Sequence, residues 1–282
     1  MNGLDLVRAV VPRWLRNALR RPGRTLSWVG AEWAYRLGRV STCELREGFV
    51  VRCHPASWHV FASHREDRAQ AFELDGFVRH ARPGMVLLDV GAHYGLFTLA
   101  ALHFGGETAR AIAVEPSPEA LRVLRANVAL AHPDRARVFG CAAGERDGVV
   151  SMLTTGANAE HYLVGLDDER SDSLQIECLT LGSIVARVGW APTHVKIDVE
   201  GFEDEVLRGS DAWIAANQPV VFLELHSDML RRRGIEPRSV LERLLARGYR
   251  LERDARPADP DEIAAEPLAR VVALPPVRDP RG

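Results

Sequence analysis

The sequence predicts an α/β fold built on a mainly parallel sheet, and three observations carry that expectation. Short, continuous apolar runs recur at 85–90, 111–114, 138–142, 194–199 and 219–225, as suits strands buried on both faces. Helical segments at 96–104, 118–131 and 201–206 separate several of them. Acidic residues close the runs, namely Asp89, Glu115, Asp198 and Glu224. Strand and helix in alternation imply right-handed βαβ units. In such sheets a ligand sits beyond the C-terminal ends of the strands, so those ends are where chemistry is sought.

Residues 1–40 carry eight arginines against Asp5 and Glu32, with Leu6, Val10, Trp14, Leu15 and Leu19 at roughly helical spacing. Pro12 and Pro22-Gly23 interrupt any long helix there. The stretch reads either as a helical appendage with a solvated arginine face or as a basic amphipathic segment that touches anionic lipid. Short strands with turns at Glu47-Gly48 and His54-Pro55 follow over 44–61. A helix is expected over 65–81, with Phe72, Phe77 and Val78 buried. Arg82-Pro83-Gly84 then breaks the chain before the first apolar run. Ser117-Pro118-Glu119 caps the helix that reaches 131. Residues 148–153 and 174–179 alternate as strands around a polar loop. A helix at 239–247 ends at Gly248, and 249–253 with 270–274 forms a terminal strand pair. The expected organisation is an N-terminal helical and β extension (1–65), a main domain (66–275) and a tail (276–282).

Composition narrows the function. Of 282 residues, 46% are hydrophobic and 26% charged, an ordinary globular balance. A formal net charge of −2 supplies no field toward nucleic acid, which is not expected as a partner. No run approaches the ~18 apolar residues of a membrane span, and no secretory leader is apparent. Cys43, Cys53, Cys141 and Cys178 form no CxxC pair and have no zinc-ligand spacing. They read as reduced thiols of a cytoplasmic protein. Among 36 basic residues the only lysine is Lys196. An ammonium is a compact point charge and a guanidinium a wide fork, so this position is expected to need the smaller group.

The first strand runs into Asp89-Val90-Gly91-Ala92-His93-Tyr94-Gly95. Gly91 and Gly95 permit a tight strand-to-helix turn and close approach of a ligand to the backbone. A nicotinamide fingerprint needs glycine at 91, 93 and 96; His93 and Leu96 stand at the last two. A P-loop ending is also missing. Asp89 instead suits a ligand bearing an ammonium group, and Glu115 is placed to accept hydrogen bonds from ribose hydroxyls.

The second constellation begins at the strand Lys196-Ile197-Asp198-Val199-Glu200. If extended, it sets Lys196, Asp198 and Glu200 on one face. Three charges flanked by apolar neighbours need each other, a ligand or water. Glu224 and His226 close the following strand and are expected at the same crevice. One use of this cluster is general-base catalysis by His226 or a carboxylate. Another is a divalent metal held by Asp198, Glu200 and Glu224.

Together "LLDVGAHYGLFT", "AVEPSPEALRVLRANV", "VKIDVEGFEDEVLRG" and "QPVVFLELH" resemble the FkbM methyltransferase family over about residues 70–275. The resemblance implies a class I methyltransferase (Rossmann-like) fold. Its seven-stranded sheet has six strands parallel and one antiparallel, with helices on both faces, and binds S-adenosylmethionine. It also implies an O-methyltransferase acting on a small molecule, sugar or other secondary metabolite. Carried onto this chain, it puts Asp89, Gly91, His93 and Gly95 at the methionine part of the cofactor, Glu115 at the ribose and Ala142 near the adenine. Asp198, Glu200 and Gly201 fall beside the reacting methyl. The family commonly has Asn where His93 stands, and often an Asp where Gly182 stands. The expected mechanism makes His226 the base, with Asp198 and Glu200 orienting the acceptor or a metal and Lys196 keeping them ionised; these roles are interchangeable at this stage. The competing readings are a nucleotide-dependent oxidoreductase and a non-catalytic binding protein of methyltransferase-like fold.

Overall fold

The computed structural model describes residues 22–153, 162–164 and 173–276. The basic stretch 1–21, most of the polar loop and the tail from 277 lie outside the described residues. In chain order the elements are α1 (Pro22–Arg36), β1 (Ser41–Arg46), β2 (Phe49–Cys53), α2 (Trp58–Glu66), α3 (Arg68–His80), β3 (Val86–Val90), α4 (Leu96–Phe104), β4 (Arg110–Val114), α5 (Pro118–Ala131) and β5 (Ala136–Phe139). There follow β6 (Ala142–Ala143), β7 (Gly148–Leu153), β8 (Tyr162–Val164), β9 (Ser173–Leu179), α6 (Leu181–Val188), β10 (His194–Ile197) and α7 (Glu203–Asn217). The chain closes with β11 (Val220–Leu225), α8 (Ser227–Arg232), α9 (Pro237–Leu245), β12 (Arg250–Arg253), β13 (Arg256–Pro257), α10 (Pro260–Ala265) and β14 (Ala269–Leu274).

The main sheet has eight strands in the order β13-β12-β14-β11-β10-β3-β4-β5. Strands β5, β4, β3, β10 and β11 are parallel, and β14 runs antiparallel to both β11 and β12. Seven strands therefore carry the expected directions, six one way and one the other. The eighth, β13, is an addition that the seven-strand expectation lacked: it pairs only Pro257 with Glu252 and Arg256 with Arg253.

Alternation along the strands decides which face each residue serves. Leu87 packs with Leu45, Phe61, Phe77 and Leu99 on one face of the sheet. Leu88 and Val90 pack with Ile184, Leu207, Leu241 and Ile263 on the other. The β1–β2 hairpin contributes Cys43, Leu45, Phe49, Val51 and Cys53 to the first core, so the extension shares a core with the main domain. Residue 65 falls inside α2.

Several boundaries differ from the sequence reading for local reasons. The helix expected at 65–81 is α3 alone, started at Asp67, whose side chain accepts from the N–H groups of Ala69 and Gln70. Phe77 is core, but Phe72 is 42% exposed on the outer side. The strand expected at 138–142 splits at Gly140, where a Cβ would come within 2.6 Å of Leu121. Ala142 and Ala143 instead pair with Cys178 and Leu179 in a second sheet, ordered β6-β9-β7-β8. Helix α7 continues past 206 to Asn217, closed by Gln218 in the left-handed region. Among the described residues no helix is long and apolar enough to cross a membrane.

Candidate active site

The turn after β3 is shaped by backbone contact. The N–H groups of Gly91 and Ala92 both donate to the carbonyl of Val114, at 2.9 and 3.0 Å. Gly91 has φ +81°, and a Cβ there would lie 1.7 Å from the carbonyl oxygen of Asp198. Only glycine lets the ends of β3 and β10 meet this closely. Gly95, at φ +88°, starts α4 where a Cβ would press on Leu124. His93 has φ +49°, a conformation that Asn and His tolerate better than most side chains. The departure from Asn thus keeps the backbone geometry. The His93 N–H donates to Glu115 Oε2 at 2.7 Å, and Ser117 N–H to Oε1 at 2.8 Å. Burial pushes the Glu115 carboxyl up to about 7 against the pull of those two N–H bonds.

Gly91, His93, Glu115 and Ala142 line one cleft of about 210 Å³, with Asp198 and Glu200 also on its wall. Two residues expected at the cofactor do not line it. Asp89 is buried and accepts from the Thr98 hydroxyl of α4 at 2.6 Å; burial moves its carboxyl up to about 6. Gly95 shapes the helix start.

The second cluster centres on Lys196, 2% exposed. Its Nζ lies 3.0 Å from Glu73, 3.1 Å from Asp198 and 3.7 Å from Glu224, and 4.6 Å from the ring centre of Phe97. A compact ammonium suits a position crowded by three carboxylates. Arg270 joins Glu73 at 3.0 Å and Glu224 at 2.6 Å. His226 Nδ1 stands 2.9 Å from the fully buried Glu203, and Nε2 stands 3.9 Å from Asp198 Oδ1.

These contacts set the charges. For Asp198, burial acts upward, but Lys196 and His226 outweigh it and hold the carboxyl below its usual range. Glu224 goes up to about 8, through burial and the charges of Asp198 and Glu73. For His226, burial acts downward, yet its bond to Glu203 and the nearby carboxylates push it up to about 9. Asp198 is thus held toward its charged form, beside a histidine pushed toward its protonated form.

The strand expected to set Lys196, Asp198 and Glu200 on one face ends at Ile197. Glu200 at φ +49° and Gly201 at φ +92° turn the chain. Glu200 therefore goes to the cleft wall. Asp198, Glu224 and His226, not the expected Asp198, Glu200 and Glu224, bring potential ligand atoms within 4.8 Å of one another. Sequence reading missed Glu73, Glu203 and Arg270. Glu203 stood in view beside Glu200, but nothing local marked Glu73, which lies 197 positions from its partner Arg270.

A sheet with six strands parallel and β14 and the short β13 reversed, with a glycine turn and an acid closing each of the two adjoining strands, matches the expected class I methyltransferase fold. The FkbM methyltransferase domain matches residues 89–251, more than half of the chain. The chain belongs to that family. It is 30% identical over 167 residues to the 31-O-demethyl-FK506 methyltransferase FkbM of Streptomyces tacrolimicus, covering 47% of this chain and 63% of that one. It is 29% identical over 220 residues to the AMB antimetabolite synthetase AmbE of Pseudomonas aeruginosa, covering 59% of this chain and 10% of that one. The chain thus spans less than two thirds of the length of either relative. Among solved structures, methyltransferase FkbM from Methylobacillus flagellatus KT is 18% identical with a TM-score of 0.46, covering 78% of this chain and 54% of that one.

Proposed function

We propose that this protein transfers a methyl group from S-adenosylmethionine to a hydroxyl oxygen of a small-molecule or saccharide acceptor. The observation that carries the reading is the cleft itself, with the anchored Glu115 carboxylate and the ionised Asp198 both on its wall. The residues fit the cofactor. Each Glu115 oxygen takes one backbone N–H and retains a lone pair for a ribose hydroxyl. Gly91 leaves the turn without a side chain. The name of the Streptomyces relative supports oxygen as the accepting atom. Four buried free cysteines suit the reducing cytoplasm.

S-adenosylmethionine supplies an electrophilic methyl on a positively charged sulfur. The chain's own residues orient the acceptor and take its proton. Asp198 lines the cleft with its carboxyl held toward the charged form, while His226 is held toward its protonated form, so the base role is assigned to Asp198 rather than His226. Lys196 keeps Asp198 charged, and the His226 imidazolium steadies its other oxygen. Glu200 lines the same cleft. Alignment of the two reactants contributes several kcal/mol, and proton removal adds about 10²–10⁴-fold.

Calorimetric titration with S-adenosylhomocysteine tests the reading. The wild-type protein is expected to bind it, and Glu115→Ala to bind about 10–100-fold more weakly, a loss of about 1.4–2.8 kcal/mol. No binding of either adenosyl ligand by folded wild-type protein would sink the proposal. Binding without transfer to any acceptor would favour a non-catalytic protein of the same fold.

A further inference from the structure

We infer that Asp198, Glu224 and His226 form a binding site for one divalent transition cation. Their potential ligand atoms lie within 4.8 Å of one another. Neighbouring ligand atoms on one ion at ~2.1 Å stand about 3.0–3.4 Å apart in octahedral or tetrahedral geometry, so binding needs the three atoms to close by at most about 1–2 Å. One imidazole and two carboxylates are a donor set that suits manganese, iron or zinc.

Each of the three residues has a second atom fixed from behind. His226 Nδ1 meets Glu203 at 2.9 Å, which points Nε2 toward Asp198. Asp198 Oδ2 is held by Lys196 at 3.1 Å, leaving Oδ1 turned to His226. Glu224 Oε1 is held by Arg270 at 2.6 Å. A carboxylate behind the imidazole, with the carboxylates themselves held by hydrogen bonds, is the outer arrangement that orients metal ligands. Glu203 is fully buried, and its second oxygen has no hydrogen-bond partner among the described residues. Its Oε1 meets His226 Nδ1 and also accepts the Gly201 N–H at 2.9 Å, which fixes it behind the imidazole.

Among the described residues, Glu73 and Glu224 each pair with both Lys196 and Arg270, and Asp198 pairs with Lys196. Asp198 also lines the cofactor cleft. If that cleft holds the methyl donor, as proposed above, an ion here is placed to bind the acceptor hydroxyl and lower its pKa.

Titration of chelator-treated protein with Mn2+, followed by loss of the free-ion signal in electron paramagnetic resonance, tests the site without any methyl donor. About one Mn2+ per chain is expected. Glu224→Gln and His226→Ala should each weaken it by more than about tenfold. Glu203→Gln touches no ligand directly and should weaken it by about 10–100-fold, with circular dichroism confirming the fold. Glu115→Ala should bind Mn2+ as wild type does. No bound Mn2+ at 1 mM in folded wild-type protein overturns the inference, as does binding unmoved by Glu224→Gln and His226→Ala. Failure here with intact S-adenosylhomocysteine binding leaves the methyl-transfer reading standing. Loss of adenosyl binding with Mn2+ still held sinks that reading alone.

Discussion

Glu115 and Asp198 both close apolar strands and line one cleft, but their surroundings handle the charge in opposite ways. Glu115 is solvated by the chain itself, through the N–H groups of His93 and Ser117. Asp198 and Glu224 are solvated by other side chains, above all Lys196 and Arg270. Backbone dipoles are fixed once the turn forms, and no substitution outside the turn removes them. Side-chain cations come from distant elements, and loss of one leaves the others unbalanced. The first arrangement is therefore robust and local, and the second is strong but fragile.

The most severe way to break this contrast is Lys196→Met. Removing one partner of a buried ion network leaves uncompensated charge, at a cost of about 3–5 kcal/mol. Urea unfolding followed by circular dichroism should show that loss; a change below about 1 kcal/mol would mean the carboxylates had found other partners.

A smaller effect is expected of Glu203→Gln. In the wild type the His226 pKa is raised from 6.5 to about 9, its burial outweighed by Glu203 and the carboxylates beside it. The folded form thus holds this proton more tightly than the unfolded chain does. Its contribution to stability is fully present below 6.5 and lost as pH rises through about 9. Nuclear magnetic resonance titration should place the His226 midpoint at least about one unit lower in the variant, worth about 1.4 kcal/mol. Melting temperatures should correspondingly fall less steeply between those two pH values than in the wild type. An unmoved midpoint would assign the shift to Asp198 and Glu224 instead.

The mildest change sharpens the cleft side. His93→Asn keeps the left-handed backbone and the N–H bonded to Glu115, and removes the ring stacked on Tyr94 at 3.8 Å. Stability within about 0.5 kcal/mol of wild type and S-adenosylhomocysteine binding within about twofold are expected. A larger loss of binding would mean that the imidazole ring itself contacts the cofactor.

Legibility followed the same divide. The turn from Asp89 to Gly95 and the acid at Glu115 could be read because their geometry is set by neighbours in the chain and by glycine. The placement of Asp89 beneath the cleft could not, because its partner Thr98 is recognised only once α4 lies against β3. Glu200 was misplaced because a left-handed residue looks like any other in a string of letters, so period-two reasoning carried it one step too far along β10. The β6 excursion was hidden for a related reason, since its partners Cys178 and Leu179 lie far along the chain.

The sequence by itself determined the alternation of strands and helices, the acids at the strand ends and the glycines of the first turn. Those follow from burial patterns and backbone freedom within a few residues. The tertiary structure alone decided which acid is ionised, which histidine nitrogen is held, and that Glu73, Glu203 and Arg270 belong to the cluster. Electrostatic energies depend on distances and burial between residues far apart in the chain, and folding alone supplies those distances.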